Sequence, residues 1–215
     1  LDRQEEALVY YNRILDEFDD EDMNVKAYCL YQVGKYEESR DVCADILEEN
    51  PQNYQAENIY NDATLELIKE YEAKLKENPE DNDSKIELAW CKMQNKEYDE
   101  AINLIKTVTN PGDKVIRGYN ILAHCFAIKE NYKLALDFFT RWENHIRTLE
   151  DDGTDKRKKQ ISRLAYTIYR QGCCYIGLKD TKKALELIDK AIETDPEDVS
   201  FYVGKANLYY DNKEY

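Results

Sequence analysis

The sequence predicts an all-α fold, a solenoid in which antiparallel helix pairs follow one another along the chain. Glycine and proline are scarce, at 7 and 4 of 215 residues, which is typical of long helices and not of turn-rich β structure. Small residues recur at fixed distances from apolar ones, which indicates a repeated helix pair. Prolines also stand where three of the repeated segments should end, at Pro51, Pro79 and Pro196.

The recurring positions define a register that can be followed through the chain. It starts from five small residues, separated by 62, 34, 49 and 34 positions: Ala27, Ala89, Ala123, Gly172 and Ala206. A second small residue lies twelve positions after each of the first four, at Ser39, Ala101, Ala135 and Ala184. Apolar residues follow this second position by four and seven residues: Cys43 and Ile46, Ile105 and Val108, Phe139 and Trp142, Ile188 and Ala191. Because small residues let two helix axes approach closely, each copy should hold a first helix and a second helix that pack as a pair.

In chain order, the register divides one solenoid, 1–215, into seven segments. The expected segments are a partial repeat 1–19, full repeats 20–52, 81–114 and 156–197, a degenerate repeat 53–80, an extended repeat 115–155 and a partial repeat 198–215. The extended repeat should contain a loop near Asp151–Thr154. Because both terminal repeats are incomplete, we expect the parent protein to continue in one or both directions.

The degenerate segment leaves two structures open. Only 28 positions separate Pro51 from Pro79, and the sequence between them contains no glycine. The segment is therefore either a shortened helix pair, broken near Asn61-Asp62, or one long helix.

The register resembles the tetratricopeptide repeat. The fourth copy carries the resemblance most clearly, with Ile168, Gly172 and Tyr175 in the first helix, Ala184 and Ile188 in the second, and Pro196 at the close. The resemblance covers nearly the whole chain. It implies a right-handed superhelix whose first helices line a concave face, and it implies a scaffold without fixing the partner, since this fold serves many partners.

The adjacent pair Cys173 and Cys174 raises the question of a metal site, a redox pair or a nucleophile. Four cysteines, however, lie two residues after the aligned small residues: Cys29, Cys91, Cys125 and Cys174. A buried cysteine packs as a small apolar group, and Cys43 also occupies a core position of its register. Neighbouring helix residues point about 100° apart, so the pair cannot grip a tetrahedral metal together. We expect six reduced, unliganded thiols, no metal or other cofactor, and a cytoplasmic location.

Several classes of function lack their signature. His124 and His145 share no cysteine or carboxylate cluster, and the chain has neither a glycine-rich phosphate loop nor a GxSxG motif. We therefore expect no catalytic residues and no enzyme activity. No apolar run approaches the ~20 residues that span a bilayer. The net charge of −15 argues against nucleic acid, and the basic run at 155–160 either solvates a helix start or docks an acidic partner.

The resemblance places binding on the first helices, three residues before, one after and four after each aligned small residue. The candidate groove residues are Tyr28, Tyr31, Trp90, Met93, Asn120, His124, Tyr169, Asn207 and Tyr210. Their alternative role is to close contacts between repeats. Flanking acids such as Glu21 and Asp211 predict a protein or peptide segment with apolar anchors and basic flanks, with Trp90 as the best single anchor.

One specialisation of the family can be checked by residue identity. Chaperone adaptors clamp a terminal carboxylate with a lysine and an asparagine four residues apart on one first helix. The corresponding pairs here are Asn24/Tyr28, Ile86/Trp90, Asn120/His124, Tyr169/Cys173 and Val203/Asn207. None is Lys/Asn, so we do not expect acidic chaperone C-terminal tails as partners.

Two functions remain open from the sequence. The first is a non-catalytic protein-interaction scaffold that binds a peptide or protein segment in its concave groove. The alternative is a regulatory or substrate-positioning region of a larger protein. Its catalytic or chaperone domain, for example that of a J-domain co-chaperone, would lie outside this segment.

Overall fold

Eleven α-helices, and no strand, make up the part of the chain that the computed structural model describes, residues 3–17, 22–108, 113–149 and 155–211. The helices are α1 Arg3–Glu17, α2 Met23–Gln32, α3 Tyr36–Glu49, α4 Tyr54–Glu77, α5 Asn82–Gln94, α6 Tyr98–Lys106, α7 Asp113–Ile128, α8 Tyr132–Thr148, α9 Asp155–Gly177, α10 Thr181–Thr194 and α11 Val199–Asp211. The predicted all-α repeat class is confirmed. The loop expected near Asp151–Thr154 lies outside the described residues.

The helices fall into two compact units, Leu1–Glu97 and Tyr98–Tyr215, called unit 1 and unit 2 below. In unit 1, α2 packs against α1 and α3, and α4 packs against α2, α3 and α5. In unit 2, each helix from α6 to α11 packs against the next one along the chain. Contacts between sequence neighbours are typical of a helical repeat, in which each layer rests on the adjacent layer.

The predicted register is confirmed by burial. The first four aligned small residues are fully or almost fully buried, and so are the four residues twelve positions later. The Ser39 hydroxyl donates to the Ala27 carbonyl over 2.7 Å, so its polar atom is satisfied inside the α2–α3 contact. At Gly172 a Cβ would lie 3.1 Å from a side-chain carbon of Ile188, which shows how closely α9 and α10 approach. The fifth small residue, Ala206 on α11, is exposed.

The first helices α2, α5, α7 and α9 all end in the same three-residue turn. In the first copy the Lys35 amide donates to the Leu30 carbonyl and the Gly34 amide to the Tyr31 carbonyl, and the other three turns repeat this pattern. The central residue has a left-handed backbone, with φ between 58° and 79°: Gly34, Lys96, Glu130 and Lys179. The links between the two helices of a pair are therefore tight turns.

Prolines close the second helices as predicted. Helices α3 and α10 end two residues before Pro51 and Pro196, and α4 ends two residues before Pro79. The residue before each proline accepts a hydrogen bond from the amide two positions later through its side chain, as Asn50 does from Gln52 over 3.3 Å. The three links that contain these prolines therefore share one hydrogen-bonding pattern, as the turns inside the pairs do.

The degenerate segment is one continuous helix, α4, of 24 residues. No break occurs near Asn61-Asp62, because nothing between Tyr54 and Glu77 interrupts helical hydrogen bonding and successive turns each bury a side chain: Ala56, Ile59, Ala63, Thr64, Leu67, Ile68 and Tyr71. The segment therefore contributes one helix that packs against both α3 and α5.

The two units differ in what fills their cores. Among the described residues, the largest fully buried side chains of unit 2 are Phe139, Ile146, Ile168, Ile188 and Phe201, whereas unit 1 has Leu67. The remaining fully buried positions of unit 1 hold small groups such as Cys29 and Cys43. Unit 2 therefore places larger apolar side chains at its most deeply buried positions than unit 1 does.

Candidate functional site

The cysteines lie in helix contacts and not in a reactive site. Cys29, Cys43, Cys91, Cys125 and Cys174 are buried, which confirms their predicted packing role, and all six thiols are free. Burial raises the pKa of the Cys43, Cys91 and Cys174 thiols to about 11 and that of Cys125 to about 12. A reactive cysteine needs a lowered pKa, because the thiolate is the nucleophile. Burial also raises the pKa of the partly buried Cys173.

Within the described ranges, no group of three or more His, Cys, Asp or Glu side chains is arranged to hold a metal ion. None of the described helices combines the length and the apolarity needed to cross a membrane.

On α2 the predicted stripe is partly accessible. Tyr28 is 41% exposed, and its ring forms a T-shaped pair with that of Tyr11, with 5.9 Å between centroids. Tyr31 is partly buried against the cluster of Ala27 and Cys43, with its ring 5.4 Å from Tyr36. Of the two tyrosines, Tyr28 is the more accessible to a ligand and Tyr31 belongs to the helix contact.

On α5 the predicted stripe is largely core. Met93, which we expected to be partly exposed, is buried with 8% of its surface accessible, and Ile86 one turn before Trp90 is buried as well. The reason is that α5 buries residues on most of its circumference, including Lys85 and Lys92, so no continuous exposed line is left along it. Trp90 itself is partly buried.

On α7 the predicted residues Asn120 and His124 are both partly buried. The His124 ring lies edge-on to Phe139 at 5.1 Å and stacks on Tyr166 of α9 at 6.0 Å. Burial, assisted by the nearby Arg170 cation, lowers the pKa of His124 to about 3. The imidazole is therefore neutral near pH 7 and acts as an aromatic surface.

On α9 the predicted residue Tyr169 closes a contact between helices. Its ring is partly buried, lies 5.0 Å from that of Phe201, and occupies the space where Gly204 of α11 has no side chain. A Cβ at position 204 would collide with the Tyr169 ring. Burial raises the pKa of Tyr169 to about 12.

On α11 the predicted residues are accessible. Tyr210 is 67% exposed and Asn207 is exposed as well. Asp211, expected as an acidic flank, is exposed beside them, whereas Glu21 lies outside the described residues.

Two further residues on the first helix α9, Tyr166 and Arg170, were not predicted from the sequence. Tyr166 is 43% exposed, and the Arg170 guanidinium carbon lies 5.9 Å from its ring centroid. Tyr166 lies one turn before the predicted stripe, on a part of α9 that exists because the helix begins as early as Asp155. The sequence signal for Tyr166 was the unusual length of the segment that forms α9, because a longer first helix adds a turn of surface.

Charge is divided unequally between the units. Unit 1 carries 26 Asp and Glu against 11 Lys and Arg, whereas unit 2 carries 19 of each. The formal net charge of −15 therefore resides in unit 1, and unit 2 is neutral.

Comparison with known proteins identifies the repeat. One family model, described as tetratricopeptide repeat, matches residues 55–125, and a second of the same description matches residues 165–198. No curated protein sequence matches the chain.

Solved structures share the fold at low sequence identity. YrrB, a TPR protein with an unusual peptide-binding site, is 19% identical over 91% of this chain and 97% of its own, with a TM-score of 0.52. A tetratricopeptide repeat protein from Parabacteroides merdae is 14% identical over 98% of this chain and 81% of its own, at 0.55. The human IFIT1 dimer with m7Gppp-AAAA is 14% identical over 97% of this chain and 51% of its own, at 0.51.

Proposed function

Because the chain carries tetratricopeptide repeats, we propose that it is a non-catalytic scaffold that binds a segment of a partner protein on its first-helix faces. The observation that carries this proposal is the exposure of aromatic side chains on three first helices, at Tyr28, Tyr166 and Tyr210. Tyrosine offers a large contact area with few rotatable bonds, and aromatic residues are enriched where proteins bind one another. These residues lie on the helices that the repeat assigns to recognition.

The partner segment should carry apolar anchors for the tyrosines. Where it binds unit 1, basic flanking residues would be attracted by the acidic surface, chiefly through a faster association rate. Trp90 contributes an additional aromatic edge on α5, where its neighbours Ile86 and Met93 are already buried.

A random peptide library displayed against the immobilised full chain tests this function. We expect enrichment of peptides with spaced apolar residues, and binding of a selected peptide can be followed by fluorescence anisotropy. Trp90→Ala and Tyr28→Ala should each weaken binding of a peptide selected on unit 1 at least about tenfold, as truncation of an anchoring aromatic does. Helicity and melting should change little.

The matched control is Tyr54→Ala. Tyr54 is an aromatic residue of unit 1 that is 76% exposed and lies off the first-helix stripe, at the start of α4. Its removal should leave peptide affinity unchanged. The proposal fails if no peptide is enriched above background, or if the Tyr54 variant loses as much affinity as the other two. If Trp90→Ala unfolds unit 1 and spares binding, Trp90 belongs to the core.

A further inference from the structure

On the first-helix face of unit 2, Arg170 is a cation with no counterion among the described residues. Its guanidinium lies over the ring of Tyr166, and its Nε is buried with no hydrogen-bond partner among the described residues. An unsatisfied buried donor is costly, more so when it is charged, so such a group is expected to acquire an acceptor. The side chain as a whole is only partly buried and can therefore be reached from outside.

Two other cations whose side chains are largely removed from water are paired with carboxylates. Lys92 Nζ lies 3.1 Å from Glu72 and 2.8 Å from Glu97, and Arg40 Nη2 lies 3.4 Å from Asp41. These pairs follow the rule that a charge removed from water is matched by its opposite. No ion pair of Arg170 is found in the described ranges, so it departs from the pattern of the rest of the molecule.

The acidic side chain that contacts α9 next to Arg170 already has partners. Glu143 accepts hydrogen bonds from Gln171 over 2.8 Å and from Arg147 over 2.7 Å, and Lys190 Nζ lies 3.6 Å away. The first-helix neighbours of Arg170 are aromatic: Tyr166 on its own helix and His124 on α7. Arg170 is thus a single positive charge set beside uncharged rings.

We propose that Arg170 receives an acidic side chain, an internal Asp or Glu, of the bound partner segment, while an adjacent apolar residue of that segment packs on Tyr166 and His124. This inference rests on the proposed function and adds the chemistry of one subsite. A guanidinium binds a carboxylate through two parallel N–H donors. One guanidinium matches the single charge of a carboxylate. An internal side chain is favoured over a chain terminus because the Lys/Asn pairs that clamp a terminal carboxylate are absent here.

The test uses the full chain and two displayed libraries, one with the random segment fused at both ends and one with a free C-terminus. We expect peptides from the first library to contain an acidic residue next to an apolar one. Arg170→Gln should weaken binding of such a peptide at least tenfold, and replacing the peptide's Asp by Asn should cause the same loss. The two changes together should cost no more than either alone. Arg170→Lys should recover part of the affinity, since it keeps the charge and loses the fork.

Arg163→Gln is the matched control. Arg163 lies two turns earlier on the same face of α9, is exposed, and has no ion pair in the described part of the chain. If the effect is only long-range attraction, both glutamine variants will weaken binding equally and the proposal is overturned. The same holds if Arg170→Gln binds the peptide as tightly as the unaltered chain does.

The remaining outcomes separate this inference from the proposed function. Enriched peptides without acidic residues would overturn the carboxylate subsite and leave the scaffold function intact. Acidic enrichment confined to free C-termini would replace the internal side chain by a terminal carboxylate and overturn the proposal as stated. Binding of single-stranded oligo(A) RNA that Arg170→Gln abolishes would assign the cation to phosphate. Failure of both libraries would remove the proposed function and the inference with it.

Discussion

Units 1 and 2 contain the same helix pair but differ in charge and in the size of their most deeply buried side chains. Unit 1 has 15 more acidic than basic side chains, whereas the two kinds balance in unit 2. The shared features are the buried small residues and the turns, which fix how two helices approach. Side chains that point away from the helix contact do not affect this approach, so their charges can differ between the units. The charge of the whole chain therefore describes unit 1, and it is a poor guide to what the surface of unit 2 can bind.

The cores differ at one register position in particular. Four residues after the second small residue, unit 1 has Cys43 in its complete pair α2–α3, whereas the pairs of unit 2 have Phe139 and Ile188. All three side chains are fully buried. A phenylalanine buries far more apolar area than a cysteine, so the pair contact in unit 2 should contribute more to stability.

The largest expected effect is that of Phe139→Ala, which should lower the free energy of opening of unit 2 by about 3–5 kcal/mol. The equivalent change in unit 1, Cys43→Ala, should cost only about 1 kcal/mol, because little more than one methylene equivalent is removed. Hydrogen exchange read by mass spectrometry reports on each unit separately. If the Phe139→Ala variant does not fold, the same measurement is made on Phe139→Leu. Equal losses at the two positions would show that core volume does not distinguish the units.

The next effect is a pH dependence confined to unit 2. The folded pKa of His124 is about 3, below its ordinary value of 6.5, so the folded state favours the neutral imidazole. Its contribution to stability is complete above pH ~6.5 and declines by about 1.4 kcal/mol per pH unit as the pH falls toward 3. Between pH 6.5 and 5, the free energy of opening of unit 2 should therefore fall by about 2 kcal/mol more in the unaltered chain than in the His124→Gln variant. Parallel pH profiles for the two proteins would contradict this.

The smallest effect is that of salt. Like charges on unit 1 repel, and raising NaCl from about 20 mM to about 500 mM screens them. The opening free energy of unit 1 should rise by about 1 kcal/mol, on the scale of exposed charge interactions, while that of unit 2 stays constant. The same exchange experiment at two salt concentrations measures both. A rise that is equal in the two units would indicate a general salting-out effect and not charge repulsion.

Sequence reasoning located the features that depend on residues close in the chain. The small residues, the closing prolines and the packing cysteines follow from spacing within one pair, and the structure places them as expected. The state of 53–80 could not be decided, because the segment has no glycine or internal proline and its length suits either alternative. A glycine or a proline inside the segment would have indicated a turn and decided between one helix and two.

The binding surface was harder to predict, because a first helix carries apolar residues on two faces. Which face is covered depends on the neighbouring layer, and spacing alone does not report it. Tyr28 and Trp90 both lie one position after an aligned small residue, yet Tyr28 is exposed and Trp90 is partly buried. Arg170 was missed for another reason: its unusual property is a buried Nε with no hydrogen-bond partner among the described residues, which only the surrounding contacts reveal.

The four identical turns have a consequence for where this chain tolerates change in length. The two small residues of a pair are twelve positions apart in every copy, whereas successive copies are 62, 34, 49 and 34 positions apart. A turn of three residues with a fixed left-handed centre leaves no slack, so one added residue would rotate the second helix by about 100° and turn its buried side outward. The differences in length between copies lie outside these hairpins. A protein engineer who wishes to graft an epitope, or to exchange modules with a related array, should cut at the junctions between pairs and leave each hairpin whole.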